Sequence, residues 1–173
     1  MIKDIFEQGD PRYDNDYSAY SVARFYENKG IIIDKKLIKD RFKPSEEELN
    51  KITPPQQYYK FIGRKILERY FYKFICYEAS FAGYRPDILA KHHHHNETLL
   101  VECKSCRTSK AIIYLKEKGA VLWVLSMTET GLPHEPIPLY IIKRGPNWHK
   151  CLELYNKSSI EMLKGTKNPH DSL

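Results

Sequence analysis

The sequence predicts an α/β fold, with a mixed central sheet flanked by helices. Helical and strand-like patterns alternate along the chain in the order helix, three strands, helix, strand, strand, helix. Residues 120–127 are almost wholly apolar, as expected for a strand that is covered on both faces. The 173 residues fit one main domain, which is long enough to bury a core without disulfides or a structural metal.

The first third of the chain predicts a helical N-terminal extension over residues 1–55, followed by the main domain over residues 56–173. A first helix is expected over residues 17–29, and a second short helix over residues 34–42. Ser45 is followed three residues later by Glu48, which is the sequence pattern of a capping box at the start of a third helix.

The main domain begins with a long predicted helix, in which apolar and aromatic side chains recur at three- and four-residue steps. Two of the strands that follow are joined by a hairpin, and its tip holds the four histidines 92–95. The predicted elements are a helix over 56–72, strands over 74–80, 85–91 and 98–106, a helix over 110–118, strands over 120–127 and 139–143, and a closing helix over 147–164.

The charge balance favours an acidic partner. The chain carries 28 Lys and Arg against 22 Asp and Glu, a net charge of +6, so nucleic acid is the first class of partner to consider. No apolar run approaches the roughly 18 residues that a membrane span needs, and the N-terminus lacks the layout of a signal peptide. We therefore expect no membrane insertion and an intracellular protein, cytoplasmic or nucleoid-associated, or located in the host cell if the chain is viral.

The cysteines and histidines give a weak metal signal. Cys103 and Cys106 form a single CxxC with no second Cys or His pair nearby, so reduced structural thiols are expected. The adjacent imidazoles of residues 92–95 lie on a predicted loop and do not enclose an ion. The sequence leaves open whether this histidine run is native.

Polar residues interrupt two of the apolar predicted strands. Asp87 follows Pro86 at the start of one strand, and Glu102 and Lys104 lie on the next. Because strand side chains alternate, Glu102 and Lys104 are expected on one face and Cys103 on the other. If the two strands pair through the hairpin, Asp87 approaches Glu102. Two neighbouring carboxylates repel each other unless a cation lies between them, and their oxygens suit Mg²⁺.

Such an ion can lower the pKa of a bound water and neutralise charge on a phosphate. Lys104, one strand step beyond Glu102, could then orient the water or stabilise the charge that develops on phosphorus. The alternative is structural: Glu102 and Lys104 form an ion pair on a solvated sheet face, and Asp87 belongs to a turn.

These residues carry a family resemblance. Residues 56–126 resemble the PD-(D/E)XK nuclease superfamily, which includes restriction endonucleases, archaeal Holliday junction resolvases and RecB-type nucleases. The matching positions are Pro86 and Asp87, the run Glu102-Cys103-Lys104, and Glu68 on the preceding helix. The resemblance implies a restriction-endonuclease-like αβββαβ core and metal-dependent cleavage of phosphodiester bonds.

The same resemblance implies a role for each matching residue. Asp87 and Glu102 would be metal ligands together with the carbonyl oxygen of Cys103. Lys104 would be the catalytic lysine, and Glu68 would help to hold metal or water. The implied ion is Mg²⁺, with Mn²⁺ as a substitute.

One helix departs from the RecB-type pattern. Those nucleases carry Gln-xxx-Tyr after the catalytic lysine, whereas residues 110–114 read Lys-Ala-Ile-Ile-Tyr here. The sequence leaves open whether Lys110 contacts DNA phosphate and whether Tyr114 belongs to the core. Arg85, Arg107 and Lys110 are the candidate nucleic-acid contacts.

The expected function is therefore that of a Mg²⁺-dependent DNA endonuclease, acting as a homodimer, with branched DNA or recombination and repair intermediates as candidate substrates. The alternative is a catalytically inactive protein of the same fold that serves as a nucleic-acid-binding or assembly module.

Overall fold

The computed structural model describes residues 16–18, 30–54, 56–126, 136–153 and 156. For residues 16–18, 105 and 107–109, it describes the backbone alone. Most of the predicted first helix and the second half of the predicted closing helix lie outside these ranges.

The elements are as follows. The strands are β1 (Asp16–Ser18), β2 (Ile31–Ile38), β3 (Tyr72–Tyr77), β4 (Ile88–His92), β5 (Thr98–Arg107), β6 (Ala120–Ser126) and β7 (Ile137–Arg144). The helices are α1 (Glu46–Asn50), α2 (Gln57–Leu67) and α3 (Thr108–Lys116), with a 3₁₀ turn over Glu68–Tyr70 after α2. Residues 148–153 are also helical.

Six strands form one open mixed sheet in the order β2-β7-β6-β5-β4-β3. The pair β5–β6 is parallel and is connected by α3, and the other neighbours in this order are antiparallel. The short strand β1 pairs with the far end of β5. The predicted α/β class with a mixed sheet and flanking helices is thus confirmed.

Helices cover both faces of the sheet. Alternation along β5 sends Leu99 and Val101 to the face under α2, and Leu100 to the face under α3. All three side chains are fully buried. Strand β6 is buried from Ala120 to Leu125, as its unbroken apolar sequence predicted.

The predicted helix over residues 34–42 is wrong, because residues 31–38 form strand β2. This strand pairs with β7 along its whole length, from Ile31 opposite Arg144 to Ile38 opposite Ile137. Among residues 30–54 only Glu46–Asn50 are helical, so the predicted helical N-terminal extension is also wrong for this segment. The physical reason is the distant partner: β7 supplies a ladder of hydrogen bonds that local sequence patterns do not reveal.

The third helix begins where its sequence pattern predicted. The Ser45 side chain accepts a hydrogen bond from the Glu48 backbone N–H, and the Ser45 backbone N–H donates to the Glu48 carboxylate. This reciprocal capping box satisfies two backbone N–H groups at the start of α1.

The hairpin between β4 and β5 sets the register of the central polar residues. Ile88 lies opposite Val101, and Lys91 lies opposite Thr98. At the hairpin tip, His92 Nδ1 accepts the backbone N–H groups of His94 and His95. The histidine run therefore shapes the turn that aligns the two strands.

Candidate functional site

Asp87 and Glu102 lie side by side at one end of the sheet. Asp87 immediately precedes β4, and the register of Ile88 opposite Val101 places Asp87 across from Glu102. The backbone N–H of Cys103 donates to Asp87 Oδ2 at 2.7 Å. This hydrogen bond fixes the Asp87 carboxylate against the strand that carries Glu102.

Helix α3 supplies both hydrogen-bond donors that hold Glu102. Lys110 Nζ lies 2.8 Å from Glu102 Oε1, and the Tyr114 hydroxyl donates to the same oxygen at 3.1 Å. Lys110 and Tyr114 are one helical turn apart, so they project from the same face of α3. Glu102 itself is only 4% exposed. Tyr114 is also fully buried, so it belongs to the core under α3 as well as contacting Glu102. A contact of Lys110 with DNA phosphate stays a prediction.

The two carboxyl groups titrate at higher pH than usual. Burial raises the pKa of Glu102 to about 7, and the neighbouring charge of Asp87 acts in the same direction against Lys110 and Tyr114. Burial also raises the pKa of Asp87, although the Cys103 N–H and the nearby lysines oppose it. Desolvated, adjacent carboxyl groups of this kind are stabilised as carboxylates by any cation that reaches them.

A buried lysine from α2 completes the cluster. Lys60 is 1% exposed, and its ammonium group donates to the Thr53 carbonyl at 2.9 Å. The same nitrogen lies 3.8 Å from Glu78 Oε1 and 3.9 Å from Asp87 Oδ1. Three carboxylates and two ammonium groups therefore meet between α2, α3 and the end of the sheet.

The loop between β3 and β4 closes one side of this cluster with aromatic rings. Its ends are joined by a hydrogen bond from the Glu78 N–H to the Asp87 carbonyl. The rings of Phe81 and Tyr84 meet the Tyr114 ring edge-on, with centroids 6.1 and 5.9 Å away. These rings shield the Tyr114 side of Glu102 from water.

Lys104, the lysine implied by the family resemblance, is exposed and has a left-handed backbone with φ of 81°. A non-glycine residue in this region is strained, and it interrupts the regular alternation of a strand. No contact among the described residues joins Lys104 to Asp87 or Glu102. Cys103, by contrast, is buried on the α2 face, where burial raises the pKa of its thiol.

The other predicted site residues lie apart from the carboxylate pair. Glu68 is exposed in the 3₁₀ turn after α2, eight residues after Lys60 and hence about 12 Å farther along the helix axis. Arg85 is exposed and donates to the Glu78 carbonyl at 3.2 Å. Arg107 ends β5, and its side chain is outside the described atoms. The structure thus joins Asp87, Glu102 and Lys110, but it does not bring Glu68 to them.

The carboxylate oxygens of Asp87 and Glu102 are of the type that binds a hard divalent cation. Among the described residues, no group of three or more His, Cys, Asp or Glu side chains is arranged to hold a metal. Mg²⁺, however, usually keeps several waters and takes only one or two protein carboxylates. Asp87 and Glu102 offer two such carboxylates. Both hydrogen bonds to Glu102 end on Oε1, and within the described residues none ends on Oε2.

No known protein family, curated protein or solved structure matches this chain. None of the helices in the described ranges is long and apolar enough to cross a membrane. The functional assignment therefore depends on the geometry around Asp87 and Glu102.

Lys60 and Glu78 were not among the site residues predicted from the sequence. Lys60 lies in a helical row with Gly63 and Leu67, at steps of three and four residues, and all three are buried. The sequence gives no signal for this burial, because a lysine on a helix is ordinarily expected in solvent. Glu78 directly follows β3, and nothing in its local sequence distinguishes it from a loop carboxylate.

Proposed function

We propose that this protein is a divalent-metal-dependent nuclease that hydrolyses phosphodiester bonds in DNA. The observation that carries the proposal is the pair formed by the half-buried Asp87, just before β4, and the buried Glu102 opposite it on β5. The order of elements from α2 to β6 supports it: helix, three strands, helix, strand, as in PD-(D/E)XK nucleases. The net charge of +6 is compatible with an anionic substrate.

Asp87, Glu102 and the Cys103 carbonyl are the groups that would hold Mg²⁺ or Mn²⁺. The bound ion would supply a water of lowered pKa and neutralise charge on the phosphate. The remaining residues hold these ligands in place. The Cys103 N–H fixes Asp87, while Lys110 and Tyr114 fix Oε1 of Glu102.

Hydrolysis adds water across one P–O bond, so the water oxygen bonds to phosphorus while the departing oxygen takes up a proton. Lys104, two residues after Glu102 on β5, is exposed, and its ammonium group would contact a phosphate oxygen of the substrate. The aromatic loop residues Phe81 and Tyr84 limit water on the Tyr114 side of Glu102.

A second function is favoured by one specific observation. Lys110 Nζ already lies 2.8 Å from Glu102, and Lys60 Nζ faces Asp87 at 3.9 Å. The protein's own cations thus neutralise both carboxylates, as they would in a catalytically inactive protein of this fold. Such a protein would serve as a nucleic-acid-binding or assembly module.

Cleavage assays with a matched pair of variants separate the two functions. Labelled linear duplex, single-stranded, flapped and four-way-junction DNA would be incubated with Mg²⁺ or Mn²⁺, and with EDTA as a control. Glu102→Gln removes the buried carboxylate. Glu97→Gln removes a carboxylate near the other end of β5, where it accepts a hydrogen bond from Tyr72.

The nuclease function predicts cleavage by the wild type and by Glu97→Gln, and none by Glu102→Gln or in EDTA. The binding-module function predicts no cleavage at all, with DNA affinity unchanged by EDTA and by Glu102→Gln. The DNA form that is cut fastest would identify the substrate class.

A homodimer remains part of the proposal, because a second copy of the site would let the protein cut both strands of a duplex in one binding event. Sedimentation equilibrium on the full chain tests this directly. A monomer that still cuts both strands of a duplex would contradict it.

A further inference from the structure

A groove runs along α2 and β3. It consists of two adjoining cavities of about 280 and 430 Å³ that share Arg64 and Glu68. We call it the Arg64 groove. Its basic lining residues are Lys51, Arg64, Lys65 and Lys73.

Arg64 is an exposed cation held in place by two aromatic rings. Its guanidinium carbon lies 3.9 Å from the centroid of the Phe74 ring and 6.0 Å from that of Tyr77. Burial raises the pKa of Tyr77, and a hydrogen bond with Arg64 opposes that shift. Because a guanidinium is planar and has five N–H donors, stacking one face on Phe74 leaves the donors that Tyr77 does not use for a phosphate and the other face for a base.

The charge of the groove suits a polyanion. Four basic side chains line it against two acidic ones, Glu48 and Glu68. Glu48 is already engaged in the capping box with Ser45. His93 lines the second cavity, and the lining rings of Phe74 and Tyr77 are half-buried. Phe71, in the turn just before β3, lines neither cavity but is 60% exposed. Basic side chains beside aromatic rings are the pattern by which proteins bind single strands, through phosphate contacts and base stacking.

The groove also approaches the candidate active site. Arg64 follows Lys60 by one turn of α2, about 6 Å along the helix axis, and Lys60 faces Asp87. Tyr77 lines the groove, and the next residue, Glu78, lies within 3.8 Å of the Lys60 ammonium.

We propose that the Arg64 groove binds single-stranded nucleic acid and guides one strand to the carboxylate pair. The binding stands by itself, whereas the guidance to a cleavage site rests on the proposed nuclease function. Glu68, predicted from the family resemblance to assist the metal, lies in this groove and would contact the strand there.

Fluorescence anisotropy with a labelled oligo(dT) strand tests the binding, in EDTA so that no cleavage occurs. The test variant is Arg64→Gln with Lys73→Gln. The control, Lys143→Gln, removes one exposed lysine from β7, four strands from β3 and therefore roughly 19 Å away.

For the wild type, the logarithm of the affinity should fall linearly with the logarithm of the salt concentration. Losing two phosphate contacts should make that slope shallower by about 1.4 in the double variant, since each contact to a single strand contributes about 0.7. The slope of the Lys143→Gln variant should match that of the wild type.

A further variant, Phe74→Leu, keeps the charge but removes the ring beneath Arg64. We expect about fivefold weaker binding with little change in salt slope, as for the loss of one stacking partner. Urea unfolding of each variant shows whether the fold is retained, and Phe74→Leu at unchanged stability keeps the test valid if the double variant does not fold.

The proposal is overturned if the double variant and Phe74→Leu bind like the wild type, or if Lys143→Gln weakens binding as much. It is also overturned if the variants weaken binding of duplex DNA but not of the single strand. Parallel cleavage assays keep the two proposals apart. Strand binding without cleavage supports the groove alone, and Mg²⁺-dependent cleavage without strand binding supports the nuclease alone.

Discussion

The buried carboxyl group of Glu102 makes the free energy of unfolding depend on pH. Its pKa is raised from 4.5 to about 7 in the folded protein, so the folded state binds more protons than the unfolded state between these values. Stability from this group is therefore present at low pH and is lost as the pH rises through about 7. Between these two pH values, each rise in pH therefore lowers the free energy of unfolding.

We therefore predict that the free energy of unfolding falls more between pH 5 and pH 8 for the wild type than for Glu102→Gln. Urea titrations in EDTA at several pH values measure this difference. Glu97→Gln serves as the control and should follow the wild type. Parallel curves for the wild type and Glu102→Gln would show that Glu102 titrates normally.

The Lys110 ammonium group, which holds Glu102 Oε1, would also repel a metal ion bound at the proposed site, because both carry positive charge. Lys110 Nζ lies 2.8 Å from Glu102 Oε1, and a unit charge at about 4 Å is worth about 1 kcal/mol or more. We predict that Lys110→Gln binds Mn²⁺ about tenfold more tightly than the wild type. Isothermal titration calorimetry measures the affinity directly.

The matched control for this prediction is Lys91→Gln, which removes an exposed lysine that donates to Thr98 on the neighbouring strand. Its Mn²⁺ affinity should equal that of the wild type. If Lys110→Gln binds Mn²⁺ no more tightly than Lys91→Gln does, the charge of Lys110 does not oppose metal binding at the site.

For single residues, the sequence was sufficient to predict positions that follow from a hairpin. The juxtaposition of Asp87 and Glu102 depends only on β4, β5 and the short turn between them. Lys60 could not be placed in the same way, because its burial depends on α2 packing against a sheet formed by later residues. Helical periodicity alone assigns a lysine to the solvent face.

Strand β2 shows that a whole element, too, cannot be predicted when it depends on a partner distant in the sequence. Its sequence, IIIDKKLI, begins with β-branched residues but carries three charges in its centre, and only pairing with β7 makes it a strand. The elements between β3 and β6, in contrast, follow one another closely along the chain. Their apolar patterns and turn residues were enough to predict them, with shifts of a few residues at their ends.

A pair of variants in β2 tests how firmly this strand belongs to the core. Ile38 is 7% exposed and packs on the α2 face, whereas its neighbour Leu37 is 52% exposed. Ile38→Ala should lower the free energy of unfolding by about 2–4 kcal/mol. Leu37→Ala should change it by less than about 0.5 kcal/mol. Urea denaturation measures both, and equal effects would mean that β2 is not packed as described.

The sheet contains strands from both the predicted N-terminal extension, residues 1–55, and the predicted main domain, residues 56–173. Ile31 and Ile38 enter the cores on opposite faces of the sheet, and β2 covers the edge of β7. We predict that a fragment of residues 56–173 does not fold, because β7 would expose an unpaired edge and both cores would lose side chains.

Circular dichroism and thermal unfolding of this fragment, compared with the full chain, test the prediction. The expected result is loss of the cooperative transition or precipitation. A soluble fragment with a transition close to that of the full chain would instead support a separable domain over residues 56–173.

The pairing of β2 with β7 also bears on how the chain emerges from the ribosome. Almost 100 residues separate the end of β2 from the start of its partner. At a synthesis rate of 5–20 residues per second, β2 therefore remains unpaired for about 5–20 s until β7 has been made. During that time, its isoleucines are available to other nascent chains. The central residues Asp34, Lys35 and Lys36 place charge in the middle of this segment, where charge is most effective against aggregation.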